Sequence, residues 1–589
     1  EADKAKLIDY YQRNGYRDVR ILSDSVSARP DGSLDVKLVL DEGQKYHFGD
    51  IIWSGNYLYS SEYLSGILGI RKGDVYNMDF LQKKLNYNPS GMDISSLYMD
   101  DGYLFFSIEP HEVAVNGDSI AVELRMNEGA QARINRVTIS GNTKTNDHVI
   151  LREIRTLPGE KFSRADLIRT NQQLASMGYF DPEKIGINPV PNPQDGTVDI
   201  QYSVEEKPSD QIELSGGWGG AFGFIGTLGL SFNNFSLRKI GRIREWTPLP
   251  SGDGQRFSVR FQANGRQFQT YSASFTEPWF GGRRPNSFTV GFNRSVQRTL
   301  SAQQEVLSRL SINGFNISLG KRLRWPDDYF SLLTTLNIQR YDLFNYTLIT
   351  GSDFGREPTH SNSIALNTTL SRNSLNNPTF PTTGSSLSLI VNFTPPYSLF
   401  RSNNRFSTDK ERFRWVEFHK WNFDASWFTP LAKNLVLNTR AHFGFIGNYN
   451  RQLGIGPFER FRLGGSGLSG FNFLLGYDII ALRGYGDGTV GTPLGIEAGV
   501  LFNKFVTELR YAISTNPSAT IFVHTFLEGG NSWASYQDYN PFNIYRSGGA
   551  GIRIFMPAFG MLGVDYGVAF DGPSRMHNAF QFTIGQQIR

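Results

Sequence analysis

From residue 209 to the end of the chain, hydrophobic and polar residues alternate with a period of two. Phe257, Val259 and Phe261 interleave with Ser258, Arg260 and Gln262. Trp421, Phe423, Ala425 and Trp427 do so with Asn422, Asp424 and Ser426, and Leu562, Val564, Tyr566, Val568 and Phe570 with Gly563, Asp565, Gly567, Ala569 and Asp571. A strand points successive side chains to opposite faces, so each run predicts a strand with one apolar and one polar or glycine face. Sixteen runs are expected, at 211–217, 225–233, 257–263, 270–276, 287–294, 309–320, 329–341, 362–372, 385–393, 415–428, 434–446, 494–513, 519–529, 545–556, 561–571 and 577–588, with no helix among them. The connections after even runs are mostly short, such as 429–433, 514–518 and 557–560, whereas 342–361, 394–414 and 447–493 follow odd runs and are long. An even strand number, with tight turns at one end and long loops at the other, predicts a sixteen-stranded antiparallel transmembrane β-barrel over 209–589, its turns facing the periplasm. No stretch approaches the roughly 20 apolar residues of a spanning helix, which excludes a helical membrane protein but not a barrel.

Before residue 209 the pattern is mixed and repeats. Gly-Tyr follows a helical segment at Gly15-Tyr16, Gly102-Tyr103 and Gly178-Tyr179, and an alternating run then closes at Asp41-Glu42, Asn127-Glu128 or Glu205-Glu206. Ser-Gly-Asn recurs at Ser54-Gly55-Asn56 and Ser140-Gly141-Asn142. A period near 80 residues suits a small autonomous domain rather than a solenoid repeat. Within 131–208 the predicted order is β-α-α-β-β, with Ser163 as N-cap of the second helix. This order and these markers resemble POTRA (polypeptide-transport-associated) domains, although such α+β units also serve as generic spacers. The expected organisation is a partial unit at 1–43, full units at 44–130 and 131–208, and the barrel at 209–589. The first unit has only the α-β-β end, so the chain is expected to begin part-way through a longer or processed protein. An exposed strand edge in each unit offers a site for an extended peptide by β-augmentation.

Charge sharpens the boundary. Residues 1–208 carry a net −8 and residues 209–589 a net +12. The absence of Cys removes disulfides, thiolate metal sites and cysteine nucleophiles together. The eight His show no metal-ligand spacing, and no nucleophile triad is visible. No enzyme activity, cofactor, metal or nucleic-acid partner is therefore expected. Two G-x-G-x-x-G runs, 465–470 and 486–491, lie between neither strand nor helix, so glycine there is read as permitting close loop packing. The connection 234–256 is long at the end where turns are short, and its Arg238, Lys239, Arg242 and Arg244 suit either anionic headgroups or solvent.

The longest loop, 447–493, carries Leu482-Arg483-Gly484-Tyr485, and two later strands carry inward acids, Glu508 and Glu528. An arginine folded into a barrel needs carboxylates to offset its desolvation, and a guanidinium suits bidentate pairing. Arg483 with Glu508 and Glu528 would tuck the loop into the lumen, while His442 and His524 face inward as hydrogen-bond partners. The LRGY segment, the LGG before it, the run Phe526–Gly530, TEPWFGG at 276–282 and PTTG at 381–384 together resemble the outer-membrane β-barrel assembly (insertase) family, over essentially the whole chain. The resemblance implies that Arg483, Gly484 and Tyr485 anchor the loop against Glu508 and Glu528. The second acid is usually Asp in that family, so Glu528 adds a methylene. The closing strand, with Phe580, Phe582 and Ile584, also matches, although the family's terminal aromatic is absent.

The function the resemblance implies is folding and insertion of β-barrel proteins into the outer membrane of a Gram-negative bacterium, with the POTRA units in the periplasm. Its partners would be unfolded outer-membrane proteins, accessory lipoproteins or periplasmic subunits, and outer-membrane lipids. The expected mechanism opens a lateral seam between the first strand, with Leu214, Gly216 and Gly217, and the last, whose unpaired backbone groups template incoming strands. Gly216-Gly217 either weaken pairing at that seam or relieve crowding where the chain enters the barrel. A polypeptide secretion pore of the same superfamily and a passive porin are the competing expectations.

Overall fold

The computed structural model describes residues 2–86, 93–218, 224–246, 249–282, 284–346, 354–400, 406, 408–465, 477–486, 490–491, 498–516, 519–556, 560–572 and 579–584. They divide into two compact units, Glu1–Pro208 and Ser209–Arg589.

The first unit begins with helix α1 (Ala2–Arg13) and the antiparallel hairpin β1 (Arg20–Ala28) and β2 (Leu34–Asp41). Next come β3 (His47–Ser54), α2 (Ser61–Leu68), α3 (Met78–Asn86), α4 (Ile94–Asp100), β4 (Ser107–Asn116) and β5 (Ser119–Asn127). After them follow β6 (Arg133–Ser140), α5 (Asp147–Leu151), α6 (Arg164–Ser176), β7 (Gly186–Asn192) and β8 (Thr197–Ser203). Each of the two three-stranded sheets has the order β3-β5-β4 or β6-β8-β7, its first strand parallel to the last. The segment 131–208 has the β-α-α-β-β order, whereas the preceding repeat carries a third helix, α4, which the Gly-Tyr markers did not reveal. Alternating Ile120, Val122 and Leu124 bury against Leu64, Leu81 and Tyr98, and Val198, Ile200 and Tyr202 against Ile150, Leu167 and Leu174.

The Ser-Gly-Asn repeat has a structural cause. A Cβ on Gly141 would fall 1.8 Å from Val204 O, and on Gly55 2.1 Å from Met126 O, both at positive φ. Only glycine fits there. The loop beyond is held by the acid that ends each unit. Glu128 accepts from the backbone N–H of Tyr57 and Leu58, both at 2.9 Å, and Glu206 from those of Lys144 and Thr145 at 2.9 and 2.7 Å.

The second unit is one sixteen-stranded antiparallel sheet. Its strands are β9 (Gln211–Trp218), β10 (Phe224–Phe235), β11 (Gln255–Asn264), β12 (Phe268–Glu277), β13 (Asn286–Leu300), β14 (Val306–Arg322), β15 (Phe330–Phe344), β16 (Thr359–Asn373), β17 (Gly384–Phe393), β18 (His419–Ala432) and β19 (Leu435–Gly447). A separate parallel pair, β20 (Arg460–Leu463) and β21 (Tyr477–Ile480), follows. The sheet resumes with β22 (Leu501–Asn516), β23 (Ala519–Trp533), β24 (Tyr545–Met556), β25 (Gly560–Ala569) and β26 (Ala579–Ile584). Neighbours in the sheet are neighbours in sequence, with β19 joined to β22. Its end strands, β9 and β26, approach within 8 Å between Cα atoms, and no ladder joins them among the described residues.

Two expected strands began too early. Strand β18 starts at His419 rather than 415, because Val416 and Phe418 join an apolar cluster with Phe354, Phe413 and Phe458. Strand β22 starts at Leu501 and leaves out 498–500, which were expected within it, because Val500 belongs to the same cluster; the expected start at 494 lies outside the described residues. The stretch expected to be free of helix holds the short α7 (Asp409–Arg412) and several 3-10 turns. The long loop 447–493 carries β20 and β21.

The sheet is inside-out in polarity. On β22, Phe505, Leu509, Tyr511 and Ile513 are exposed while Lys504, Val506 and Glu508 are buried. Elsewhere Tyr271, Phe292, Phe315, Leu336, Phe423 and Leu527 are exposed, and Gln262, Asn293, Ser361, Ser363, Asn438 and Asp565 are buried. The inner face is knitted by cross-strand polar pairs. Arg440 grips Asp424 with two bonds of 2.7 Å, Ser258 meets Ser274 at 2.8 Å, and His442 Nε2 pairs with Asn422 Oδ1 at 2.7 Å.

Candidate functional site: a loop clamped to the inner wall

The described part of the loop between β19 and β22 has a buried core. Phe461, Leu463, Leu482, Tyr485 and Val490 are all fully enclosed, and β20 and β21 pair in parallel to give it a spine. Arg483 follows this spine. Its main-chain N–H and its Nε donate to the two oxygens of Glu528, at 2.9 and 2.8 Å, and its Nη2 donates to Glu508 Oε2 at 3.0 Å. The guanidinium lies 3.6 Å from the centre of the Phe526 ring. Register explains the convergence: Glu508 of β22 pairs with Phe526 of β23, and Glu528 stands two residues on, facing the same way. The longer glutamate at 528 lets one carboxylate hold both the side chain and the backbone of Arg483.

The network runs further than the sequence suggested. Arg483 Nη1 lies 3.3 Å from His524 Nε2, and that nitrogen is 2.9 Å from Asp565 Oδ1 on β25. Arg553 of β24 pairs with both oxygens of Asp565, and Arg510 donates to Glu508 at 2.6 Å. Lys504 donates to Ala481 O at 2.6 Å and stands 3.5 Å from Glu528. Four cations therefore face three carboxylates in a buried cluster, the mutual compensation that burial of charge demands. Beside it, Gly484 adopts φ +92°, where a Cβ would meet the backbone of β25 at 3.0 Å, and Tyr485 Oη donates to Arg546 O at 2.7 Å.

A second anchor went unnoticed in the sequence. Lys420 of β18 reaches Glu459 at 3.1 Å and Asp478 at 2.8 Å, so one ammonium ties both arms of the loop spine. Alternation placed Lys420 beside inward Asn422, but nothing local marked Glu459 and Asp478 as its partners.

The structure thus brings Arg483, Gly484, Tyr485, Glu508 and Glu528 together. Leu214, Gly216 and Gly217 lie on β9, where Leu214 pairs with Leu228 and Gly216 with Gly226. Phe580, Phe582 and Ile584 lie on β26, opposite Tyr566, Val564 and Leu562. The side chains of these six seam positions lie outside the described residues, as do most of the two glycine-rich runs.

The family model described as the Omp85 superfamily domain matches residues 251–588, and the POTRA model, described as a surface antigen variable number repeat, matches 46–129 and 132–207. The outer membrane protein assembly factor BamA of Neisseria meningitidis serogroup B is 23% identical over 562 residues, covering 90% of this chain and 62% of that protein. The chain therefore spans less than two thirds of that relative's length. Among solved structures, BamA from Haemophilus ducreyi lacking POTRA domains 1-3 aligns with a TM-score of 0.59 at 17% identity, covering 91% of this chain and 99% of that one. CdiB from Escherichia coli aligns with a TM-score of 0.52 at 13% identity, covering 99% and 97%. These two likenesses concern the fold. With more than half of its length matched by one family model, the chain belongs to the Omp85 superfamily.

Proposed function

We propose that this chain is an outer-membrane assembly factor that folds and inserts β-barrel proteins, with its POTRA units in the periplasm. The observation that carries the reading is the joining, in one chain, of POTRA repeats to an inside-out sixteen-stranded sheet whose end strands meet without a described ladder. Relatives named as outer membrane protein assembly factors support it. A partial POTRA unit at 1–43 and full units at 44–130 and 131–208 capture extended substrate strands at their sheet edges. The seam between β9, at Leu214, Gly216 and Gly217, and β26, at Phe580, Phe582 and Ile584, parts to offer unpaired N–H and C=O groups to an incoming strand. Arg483, Gly484, Tyr485, Glu508 and Glu528 hold the loop against β22 to β25, which keeps the wall beside the last strand in shape while the seam opens. The work is done by hydrogen bonding and burial, with no covalent step. Unfolded outer-membrane proteins are the substrates, accessory lipoproteins or periplasmic subunits complete the complex, and outer-membrane lipids surround it.

Depletion in the source cell tests the reading. Loss of many different barrels from the outer membrane at once is expected. Loss of a single exported protein, with the other barrels intact, would instead favour a secretion pore.

A further inference from the structure

The described residues of the connection between β10 and β11, 236–246 and 249–254, are built rather than loose. Ser236 Oγ donates to Asp253 Oδ2 at 2.7 Å, Gln255 Oε1 accepts from Leu237 N at 2.7 Å, and Asn234 Oδ1 accepts from Gly254 N at 2.9 Å. All four of these polar side chains are buried. Lys239 Nζ donates to Ser251 O at 2.8 Å, and Trp246 Nε1 to Lys239 O at 2.9 Å. This frame holds two 3-10 turns, Leu237–Lys239 and Ile243–Glu245, whose outer face is apolar and basic together. Leu237, Ile240 and Ile243 are exposed, Ile243 by 75%, and so are Arg238, Arg242 and Arg244. Against these three arginines the exposed face carries one acid, Glu245, 3.3 Å from Arg242.

Water gives no reason to fix three aliphatic side chains outward on a rigid frame, and an exposed apolar patch of this kind marks a contact surface. The charge and the position indicate which one. The strands on either side present Leu228, Leu230 and Val259 outward, the apolar band of the barrel. Because the strands run up and down, the connections 278–285 and 323–329 lie at the same end, and they expose Phe280, Trp325 and Tyr329 beside Arg284 and Arg324. Aromatic and basic residues at the edge of an apolar band belong at the headgroup level. Guanidinium groups match phosphate geometry, and aliphatic side chains beside them enter the acyl boundary.

We propose that residues 236–246 are a docking surface for anionic phospholipid headgroups of the periplasmic leaflet. Arg238, Arg242 and Arg244 bind phosphates, and Leu237, Ile240 and Ile243 enter the acyl boundary. The surface fixes the depth of the strands beside the seam: Asn233, at its edge, donates to Ser209 O at 2.7 Å, where the chain enters β9. The proposal rests on the outer-membrane reading.

The chain has no Cys, so single introduced thiols report cleanly. The full chain, folded into vesicles, is labelled with bimane in turn at Ile243→Cys, at the outward strand position Phe292→Cys and at the water-facing position Tyr57→Cys. Each label is challenged with a nitroxide carried on lipid near the headgroup and with iodide in water. The vesicles are phosphatidylethanolamine alone or in equal parts with phosphatidylglycerol. The expected result is that Ile243→Cys is quenched by the lipid nitroxide and shielded from iodide, more so with phosphatidylglycerol. The combined reversal R238E, R242E and R244E should reduce that anionic enhancement by about tenfold or more, with Phe292→Cys unchanged. Iodide quenching of Ile243→Cys while Phe292→Cys meets lipid would overturn the proposal and leave the barrel reading standing. Shielding of Ile243→Cys from both quenchers would assign the face to a protein contact. Equal quenching in both vesicle types would overturn the anionic specificity. If Phe292→Cys were reached only by iodide, the outer-membrane reading itself would fail, and this proposal with it.

Discussion

The two units of this chain use the same alternation with opposite sign. In the N-terminal unit, Ile120, Val122 and Leu124 point into a core and the charges stand outside. In the sheet, Lys504, Glu508, His524, Glu528 and Asp565 point in, and Phe505, Leu509 and Leu527 point out. A period of two states that a strand has two faces; the surroundings decide which face is the inner one. Both units also use a glutamate to seize loop backbone. Glu128 and Glu206 do so half-buried, with backbone and hydroxyl donors. Glu528 holds the N–H of Arg483 in a buried site and needs the guanidinium as well. The difference follows from desolvation, which lets neutral donors hold a half-buried carboxylate and leaves a fully buried one dependent on counter-charge.

The largest effect should come from breaking the buried clamp. Arg483→Ala leaves Glu508 and Glu528 without their shared cation and should cost about 3–5 kcal/mol of barrel stability. It should also open the 447–493 loop to protease. Arg483→Lys should recover little, because an ammonium cannot span two carboxylates as a fork does. Thermal unfolding of the folded barrel and the rate of loop nicking measure both. Wild-type behaviour of the lysine variant would contradict the clamp.

The next effect sets the two surroundings against each other. Phe292 on β13 and Ile168 on α6 are similarly exposed, at 50% and 47%. Phe292→Arg should cost roughly 2–4 kcal/mol if its surroundings are lipid, and Ile168→Arg no more than about 0.5 kcal/mol if its surroundings are water. Equal costs, measured by chemical unfolding in vesicles, would erase the distinction between the units.

A smaller effect should appear at Glu206. Partial burial pushes its carboxyl up, but hydrogen bonds from Thr145, Thr143 and the Lys144 backbone outweigh that, so it sits below the ordinary glutamate range. A carboxylate with a depressed native value adds stability above the unfolded value, and that contribution fades as pH falls through the native one. Glu206→Gln should therefore cost about 1 kcal/mol near neutral pH and nothing in acid. Amide exchange of the 131–207 strands in the full chain, under mild urea, reads the difference. A cost that persisted unchanged in acid would remove the charge from the account.

The sheet was legible because alternation is local: Asp565 already stood on the polar face of its run, between Gly563 and Gly567. What was not legible was who meets whom. Asp565 reaches His524 and Arg553 only because β23, β24 and β25 pair in one particular register, and that depends on many strands at once. The pairing of Lys420 with Glu459 and Asp478 has the same cause: its members lie on a wall strand and on two arms of a loop. The Arg483 site could be read because the segment Leu482–Tyr485 carries a family resemblance and two inward acids, Glu508 and Glu528, follow it; Arg451, Arg460 and Arg462 of the same loop carried no such mark. The early starts expected for β18 and β22 came from apolar residues that close the loop cluster instead of extending a strand.

The most direct test of the central claim is a covalent bridge across the seam. Cysteines at Leu214 or Gly216, scanned against positions from Phe580 to Ile584, form a disulfide only where Cα atoms come within about 7 Å. In purified full chain reconstituted in vesicles, the cross-linked species should stay folded, lose the capacity to insert an unfolded barrel substrate, and regain it with reductant. A bridge between β23 and β24, such as Val523 to Ile552, should leave insertion intact. Full insertion activity with the β9–β26 seam quantitatively closed would contradict lateral templating.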